Sequence, residues 1–380
     1  LRRYTEKTGS ITIPAFFSNR YHDESRILQL TAAIWIFVFF VPYTASGFAA
    51  CGKLFSALFG IDYHIAMIFS AAVIILYTAL GGFLAASTTD LIQSIVMSIA
   101  LITIIFFGLD KAGGMGVVME NAKSLPGYLN IMQGYDVTTN SASSYSLLSV
   151  ASTMAWGLGY FGMPHILLRF MAIRKEDELK RSRRIAMIWV GISLAVAVFI
   201  GIVGRLFLGF DENINANELV FIEMVRKIFP AIISGVLLSA ILAASMSTAD
   251  SQLLAASSAF ASDVYKPIIR KNASNKEMLW VSRIVVLVIA VVAFFIASSE
   301  GEAAQAIMNL VSNAWGIFGA AFGPVVLYSL FWKRFTYKGA VAGIVVGAVV
   351  DMVWLWLPVA GSTLTTITGV YEIIPGFIAG

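Results

Sequence analysis

Oxygen-bearing side chains interrupt an otherwise Leu-rich stretch of this 380-residue chain at helical spacing. Ala244, Ser247, Thr248 and Ser251 would share one face of an α-helix, so a backbone carbonyl and two or three hydroxyls would converge there. Hard cations prefer such oxygen ligands. A tightly packed helix interface uses the same small residues. The residues alone therefore leave two alternatives, a cation site and a packing face.

Two acidic residues lie close to apolar segments of spanning length. A carboxylate inside a bilayer costs about 2.5–3.5 kcal/mol on insertion scales and needs an internal partner. Asp250 follows Ser247 by one helical turn, so it is either a further cation ligand or a charge that reaches toward water at the helix end. Asp90 is either a cap near the start of the next span or an ion ligand. Both acids are candidates for a cation station.

A second unusual segment, 151–165, combines helix-breaking and aromatic residues. Three glycines and Pro164 fall within eight residues. In a helix interior each glycine costs about 1 kcal/mol and a proline about 3 kcal/mol, so this span is predicted to be broken or unwound. Broken spans expose backbone groups to ions and substrates in transporters. Trp156 and Tyr160, at positions i and i+4, would form an aromatic wall there. Close packing of the glycines and a core role for the aromatics is the alternative.

The elements that must hold these residues are predicted to be membrane-spanning helices. The chain is 58% hydrophobic, its mean hydropathy is +0.82, and apolar windows of about 20 residues recur along it. We therefore predict an all-α integral membrane protein without a soluble domain. The nine predicted spans are Leu28–Phe59, His64–Leu84, Leu91–Leu109, Leu147–Leu167, Ile185–Phe210, Ile228–Phe260, Leu279–Ser298, Ala304–Phe331 and Gly339–Leu357, followed by a truncated tenth at Tyr371–Gly380.

Charge predicts the orientation of these spans. The four segments 1–28, 169–184, 263–283 and 332–338 hold 20 of the 26 Lys and Arg residues, so they are expected on the cytoplasmic side. The intervening loops carry the acidic residues Asp211, Glu212, Glu218, Glu300 and Glu302. The basic residues that give the net charge of +4 thus set the orientation of the spans and face anionic lipid, and nucleic-acid binding is not expected.

The sequence contains no recognisable catalytic motif. Cys51 is the only cysteine, and the three histidines are too scattered for a ligand motif. Neither a paired-Asp protease motif nor a GxSG nucleophile is present. The chain is therefore not expected to be an enzyme. On the ninth span, Gly339, Gly343 and Gly347 repeat every four residues and predict close helix contact; Asp351 continues that repeat without an explanation.

Ordered stretches across the whole chain resemble the sodium/solute symporter family, most closely its proline-transporting bacterial members. They are SITIP at 10–14, RIL at 26–28, YTALGGFLA at 77–85, WGLGYFGMPHIL at 156–167, LLSAILAASMST at 237–248, FGAAFGPVVL at 318–327 and YEIIPGF at 371–377. The resemblance implies a five-plus-five inverted-repeat fold. Residues 1–109 would end repeat one, 147–331 would form repeat two, and 339–380 would add C-terminal helices to this single transporter domain. The leading helices, which complete both sites in the family, are expected before Leu1.

The resemblance also implies roles for individual residues. The carbonyl of Ala244 with Ser247 and Thr248 would bind sodium. Asp90, Asp250 and Ser251 fall where some relatives hold a second sodium, or where an exit path would lie. The substrate-side residues implied by the resemblance are Tyr43, Trp156, Tyr160 and Pro164.

The function implied by the resemblance is secondary active transport across the bacterial inner membrane. Co-transported sodium would drive uptake of a small zwitterion, with L-proline as the expected solute, by alternating access. A symporter for another small organic solute and a transporter-like sensor domain of a membrane kinase are the alternatives. An aromatic wall beside broken backbone favours a compact apolar ring whose ammonium and carboxylate meet fixed dipoles.

Overall fold

The computed structural model describes residues 1–208, 217–299, 307–359 and 361–380 and is predominantly helical. The first half contains α1 Arg2–Thr8, α2 Ile13–Tyr21, α3 Ile27–Phe59, α4 Tyr63–Lys111, α5 Met115–Lys123, α6 Leu147–Met154, α7 Trp156–Gly159, α8 Pro164–Ala172 and α9 Glu178–Leu208. The second half contains α10 Val220–Ile228, α11 Ala231–Ala259 with a π-helical extension Phe260–Ile269, α12 Asn275–Ala297, α13 Ile307–Phe331, α14 Tyr337–Trp356, α15 Leu364–Thr368 and α16 Ile373–Ala379.

Two short antiparallel hairpins complete the structure. Strand β1 Gln133–Asp136 pairs with β2 Ser141–Ser144, and β3 Pro358–Val359 pairs with β4 Ser362–Thr363. The acidic residues Asp211, Glu212, Glu300 and Glu302, and the predicted span ends at Phe210 and Ala304, lie outside the described residues.

Seven helices of the described chain are long and apolar enough to cross a bilayer: α3, α4, α9, α11 with its extension, α12, α13 and α14. Helix α4 covers two predicted spans. Its 49 residues would extend about 74 Å if straight, more than twice a hydrocarbon core of about 30 Å. Gly82 takes φ 66° and ψ −173° inside it, and the hydroxyls of Tyr77 and Thr89 meet although a straight helix would separate them by about 18 Å. The chain therefore bends back sharply at Gly82.

The predicted break in the fourth span is present. Helix α7 ends at Gly159 and α8 begins at Pro164, so residues 160–163 lie outside regular helix. A Cβ atom on Gly162 would lie 2.2 Å from the carbonyl oxygen of Phe318, which is backbone of α13. The glycines thus permit close approach to α13 as well as breaking the helix, so the predicted break and the close packing are both present.

The four basic segments meet at one end of the helix bundle, as their predicted common side requires. Arg3 on α1 pairs with Glu176, and Arg26 donates to the carbonyl of Pro267 at 3.0 Å. Tyr337, at the start of α14, lies 2.9 Å from the hydroxyl of Ser25. At the exposed carboxyl of Glu176, the hydrogen bond from Arg3 lowers the pKa below its usual value.

The apolar core has two parts that meet along α11. The larger surrounds α3 and α13 and contains fully buried aromatics such as Phe40, Phe318 and Phe322. The smaller joins the second half of α4 to α9, α10 and the start of α11. Helix α14 packs closely on α13, because a Cβ on Gly347 would lie 2.3 Å from the carbonyl oxygen of Ala320. The predicted glycine contact face of α14 is confirmed at this residue.

Candidate functional site

The oxygen-rich face of α11 is held by hydrogen bonds within the helix. The hydroxyls of Ser247 and Thr248 both donate to the carbonyl oxygen of Ala244, at 3.1 and 3.0 Å. Ser251 makes the same bond to the carbonyl of Ser247 at 2.9 Å. A hydroxyl that donates its proton keeps two lone pairs, so these oxygens can still accept a cation. The sequence pattern therefore places three hydroxyl oxygens in fixed positions along the helix.

A cavity of about 480 Å³ opens beside part of this face. Ala244 and Thr248 of α11 line it, and Tyr43 and Ser46 of α3 lie across from them. Tyr43 is only 6% exposed, and its backbone carbonyl accepts from Ser46 Oγ at 2.7 Å. The structure thus brings two of the three predicted sodium ligands, Ala244 and Thr248, and the predicted pocket aromatic Tyr43 to one cavity, whereas Ser247 does not line it.

The aromatic wall predicted at Trp156 and Tyr160 forms around a residue that the sequence pattern does not indicate. Trp315 of α13 stacks on Trp156 at 5.3 Å between centroids and meets Tyr160 edge-on at 4.8 Å. Its Nε1 donates to the carbonyl oxygen of Trp156 at 2.8 Å. Tyr371 stacks on the other side of Trp156 at 6.0 Å. Neither Trp156 nor Tyr160 lines the cavity beside Ala244.

Pro164 starts α8 and is buried, and the next residue contacts Tyr43, which lines the cavity. The ring of His165 meets the rings of Tyr43 and Phe40 at 5.9 and 5.7 Å. The break therefore leads directly to the wall that Tyr43 forms.

Arg169 of α8 connects the acidic residues at the basic end of the bundle. Its Nη2 donates to Asp90 Oδ2 at 2.5 Å and to Ser251 Oγ at 2.7 Å. Its Nη1 donates to Ser87 Oγ at 2.8 Å. Asp90 lies about two helical turns past the bend at Gly82, inside the second part of α4, and its carboxylate binds Arg169, so the capping interpretation of Asp90 is wrong. One guanidinium therefore links the broken span to α4 and α11.

Asp250 is fully buried, so the interpretation that it reaches toward water is wrong. Its Oδ2 accepts from the hydroxyl of Tyr77 at 2.7 Å, and its Oδ1 accepts from Ser251 Oγ at 3.1 Å. Because Ser251 also binds Arg169, the two acids Asp250 and Asp90 belong to one polar cluster. A second cavity, of about 630 Å³, lies at this end of the bundle and is lined by Arg169 and Ser251 among others.

Four residues of this region were missed by sequence reasoning: Arg169, Tyr77, Trp315 and Tyr371. Arg169 is recognisable as unusual, since it is a charge within the apolar run HILLRFMA, but the distribution of charges assigns it to the basic segment 169–184. Trp315 and Tyr371 offered none, because their partners lie 159 and 219 residues away in the chain.

Comparison with known proteins gives a consistent result across the chain. Residues 1–347 match the model of the sodium:solute symporter family. The high-affinity proline transporter PutP of Bacillus subtilis is 44% identical over all of this chain and 76% of its own length. A sodium/proline symporter of Staphylococcus aureus is 42% identical over all of this chain and 72% of its own length.

A solved structure shares the fold at lower sequence similarity. It is a Na⁺-coupled sialic acid symporter in a substrate-bound, outward-open state, described as revealing a novel Na⁺ site. The TM-score is 0.71 at 17% identity, over 99% of this chain and 76% of the other. At that identity the likeness supports the arrangement of helices alone.

Proposed function

The chain belongs to the sodium:solute symporter family, and from that premise we propose that it is a sodium-coupled transporter that takes up L-proline across the bacterial plasma membrane. The observation that carries the proposal is the cavity that Ala244 and Thr248 of the oxygen-rich face of α11 line together with Tyr43. Relatives with 42–44% identity over the whole chain carry names that state proline transport. The seven apolar helices agree with a multi-pass membrane protein, and the family and its named relatives are transporters rather than enzymes.

The proposed sodium ligands are the carbonyl of Ala244 and the hydroxyls of Ser247 and Thr248. A carbonyl that accepts from two hydroxyls fixes both hydroxyl oxygens, so little rotational freedom is lost when a cation binds. Hard cations favour neutral and anionic oxygen ligands of this kind. Sodium is transported here as a substrate of the carrier rather than held as a resident cofactor.

The proposed solute site is the cavity beside Tyr43. Its lining is largely apolar, and its volume of about 480 Å³ falls within the range of about 300–1,000 Å³ for small-molecule sites. A pyrrolidine ring suits such a lining. We also assign Trp156, Tyr160 and Pro164 to the solute side, because the break that they border continues into His165, which contacts Tyr43.

Asp90, Asp250 and Ser251 are proposed to form the exit path of sodium rather than a resident second site. The guanidinium of Arg169 already neutralises Asp90 and binds Ser251, so a cation arriving from Thr248 would displace or share that contact. Ser251 and Arg169 also line the cavity at the basic end of the bundle, where a released ion would enter the cytoplasm. Arg169 thus joins the exit path to the broken span.

The helices are proposed to follow a five-plus-five inverted repeat. Residues 1–109 would close repeat one, 147–331 would form repeat two, and 339–380 would add the C-terminal helices. The broken span α6–α8 would open repeat two, which is where such folds carry discontinuous helices. Coupling then follows from linkage: if sodium binding raises the affinity for proline, proline raises the affinity for sodium by the same factor.

Uptake of labelled L-proline by the whole transporter in vesicles tests the function. We expect accumulation above equilibrium when sodium is higher outside, and its loss when an ionophore collapses that gradient. Equal accumulation with potassium in place of sodium would overturn sodium coupling. Stronger competition by a sugar than by a ring analogue of proline would refute the substrate and leave the fold untouched.

A further inference from the structure

Two acidic side chains that the transport site does not use lie together behind the broken span. Asp351 of α14 is fully buried, and Glu372, just before α16, is 2% exposed. Both face Gly316 of α13. A Cβ atom on Gly316 would lie 3.2 Å from Asp351 Oδ2 and 3.3 Å from Glu372 Oε1. The absence of a side chain at Gly316 therefore leaves room for two carboxyl groups next to each other.

The hydrogen bonds of this pair are incomplete. Among the described residues, neither Oδ1 nor Oδ2 of Asp351 has a hydrogen-bond partner. Glu372 Oε2 accepts a long bond from Thr365 Oγ1, at 3.3 Å. A buried carboxylate without donors loses its hydration without replacement, which is strongly unfavourable.

No cation compensates the pair in the part of the chain that the structure describes. No charged residue is present in the elements around the pair, which are α6, α7, α13, α15, α16, β3 and β4. The sequence of the residues that the structure does not describe contains no Lys, Arg or His. Lys53 of α3 is paired with Glu218 at 2.5 Å. Lys338 begins α14 about 20 Å along the helix from Asp351. The neighbouring phenol of Tyr371 donates to the carbonyl of Ser312 at 2.7 Å.

Two like charges side by side in a medium of low dielectric cannot both stay ionised. We propose that Asp351 and Glu372 form a proton-binding site, in which one proton from water converts the two carboxylates into a carboxyl–carboxylate hydrogen bond. The proton supplies the donor that Asp351 lacks and removes one negative charge.

The bound proton would stabilise the packing that supports the broken span. Tyr371, next to Glu372, donates its backbone N–H to Ser152 Oγ of α6 at 2.6 Å and stacks on Trp156. If the folded protein keeps a proton that the free carboxyls of the unfolded chain release, linkage makes stability fall as pH rises. One such proton changes the ratio of folded to unfolded protein about tenfold per pH unit.

Equilibrium unfolding of the whole purified protein between about pH 6 and about pH 9 tests the site. We expect the folded-to-unfolded ratio of the wild type to fall more steeply with pH than that of Asp351→Asn, by up to about tenfold per pH unit. Asp23→Asn is the matched control. Asp23 is also buried, but Ser25 Oγ at 2.8 Å and the backbone N–H of Gln29 at 3.1 Å satisfy it, so this variant should keep the wild-type slope.

Infrared spectroscopy gives a second test, and its measurement on the wild type does not depend on the folding of a variant. A band from a protonated carboxyl group should be present at neutral pH and disappear on alkaline titration, and Glu372→Gln should remove it. Equal pH slopes for the wild type and Asp351→Asn would overturn the proposal. So would a folded-to-unfolded ratio that rises with sodium concentration at fixed pH in the wild type but not in Asp351→Asn. These readouts do not use transport, so their failure is distinct from failure of the proposed function.

Discussion

The ion pair between Arg169 and Asp90 joins α8 to α4, and Asp90→Asn removes its carboxylate while preserving the shape of the side chain. Nη2 and Oδ2 are 2.5 Å apart, and the two side chains are 36% and 20% exposed. Exposed ion pairs contribute about 0–1 kcal/mol, whereas breaking a fully buried pair costs about 3–5 kcal/mol. For this partly buried pair we expect Asp90→Asn or Arg169→Gln to reduce the free energy of unfolding by about 1–3 kcal/mol.

A double-mutant cycle measures the interaction directly. Unfolding of the wild type, both single variants and the double variant should show that the double variant loses less than the sum of the singles, by about 1–2 kcal/mol. Glu178→Gln is the control, because the pair between Arg174 and Glu178 is much more exposed and its loss should leave stability nearly unchanged.

The same cycle applied to Asp90→Asn and Asp250→Asn tests the exit path. Each variant should slow sodium-coupled uptake, and the double variant should slow it much less than the product of the single effects, because Ser251 and Arg169 connect the two acids. Additive free energies in both cycles would refute the reasoning, since they would mean that Arg169 and the two acids act independently.

Two further predictions use matched pairs of variants on one segment. Uptake measured against sodium concentration should show that Thr248→Ala raises the sodium concentration for half-maximal uptake about tenfold. Ser239→Ala, on the exposed side of α11, should leave that concentration unchanged. Gly162→Ala should cost about 3 kcal/mol or more, because its Cβ would lie 2.2 Å from the backbone oxygen of Phe318, whereas Gly157→Ala has open space and should be nearly neutral in thermal unfolding. Equal effects within either pair would contradict the corresponding assignment.

Features that depend only on neighbouring residues were predictable from the amino-acid sequence. Hydropathy located the apolar helices, because about 20 consecutive apolar residues are needed to cross a bilayer. Three glycines and Pro164 predicted the break at 160–163, since their effect on a helix is local. Helical periodicity placed Ala244 and Thr248 on one face, and the structure shows both beside one cavity.

The packing of the helices determines which residues distant in sequence come into contact. Periodicity places Asp90 on a helix, but it does not reveal that α8 brings Arg169 from 79 residues away to neutralise it. Periodicity therefore left the choice between a cap and an ion ligand at Asp90 open. The partners of Trp156 are likewise set by the packing of α13 and α16 against the broken span.

Asp351 shows the same division most clearly. Its four-residue spacing from Gly347 correctly indicated a contact face of α14, yet nothing in that spacing pairs it with Glu372. The pairing arises because α14 and the chain before α16 pack against the same glycine of α13. Local sequence fixes which face of a helix is buried, but the charge environment of a buried group is a sum over every element packed around it, and only the three-dimensional arrangement determines that sum.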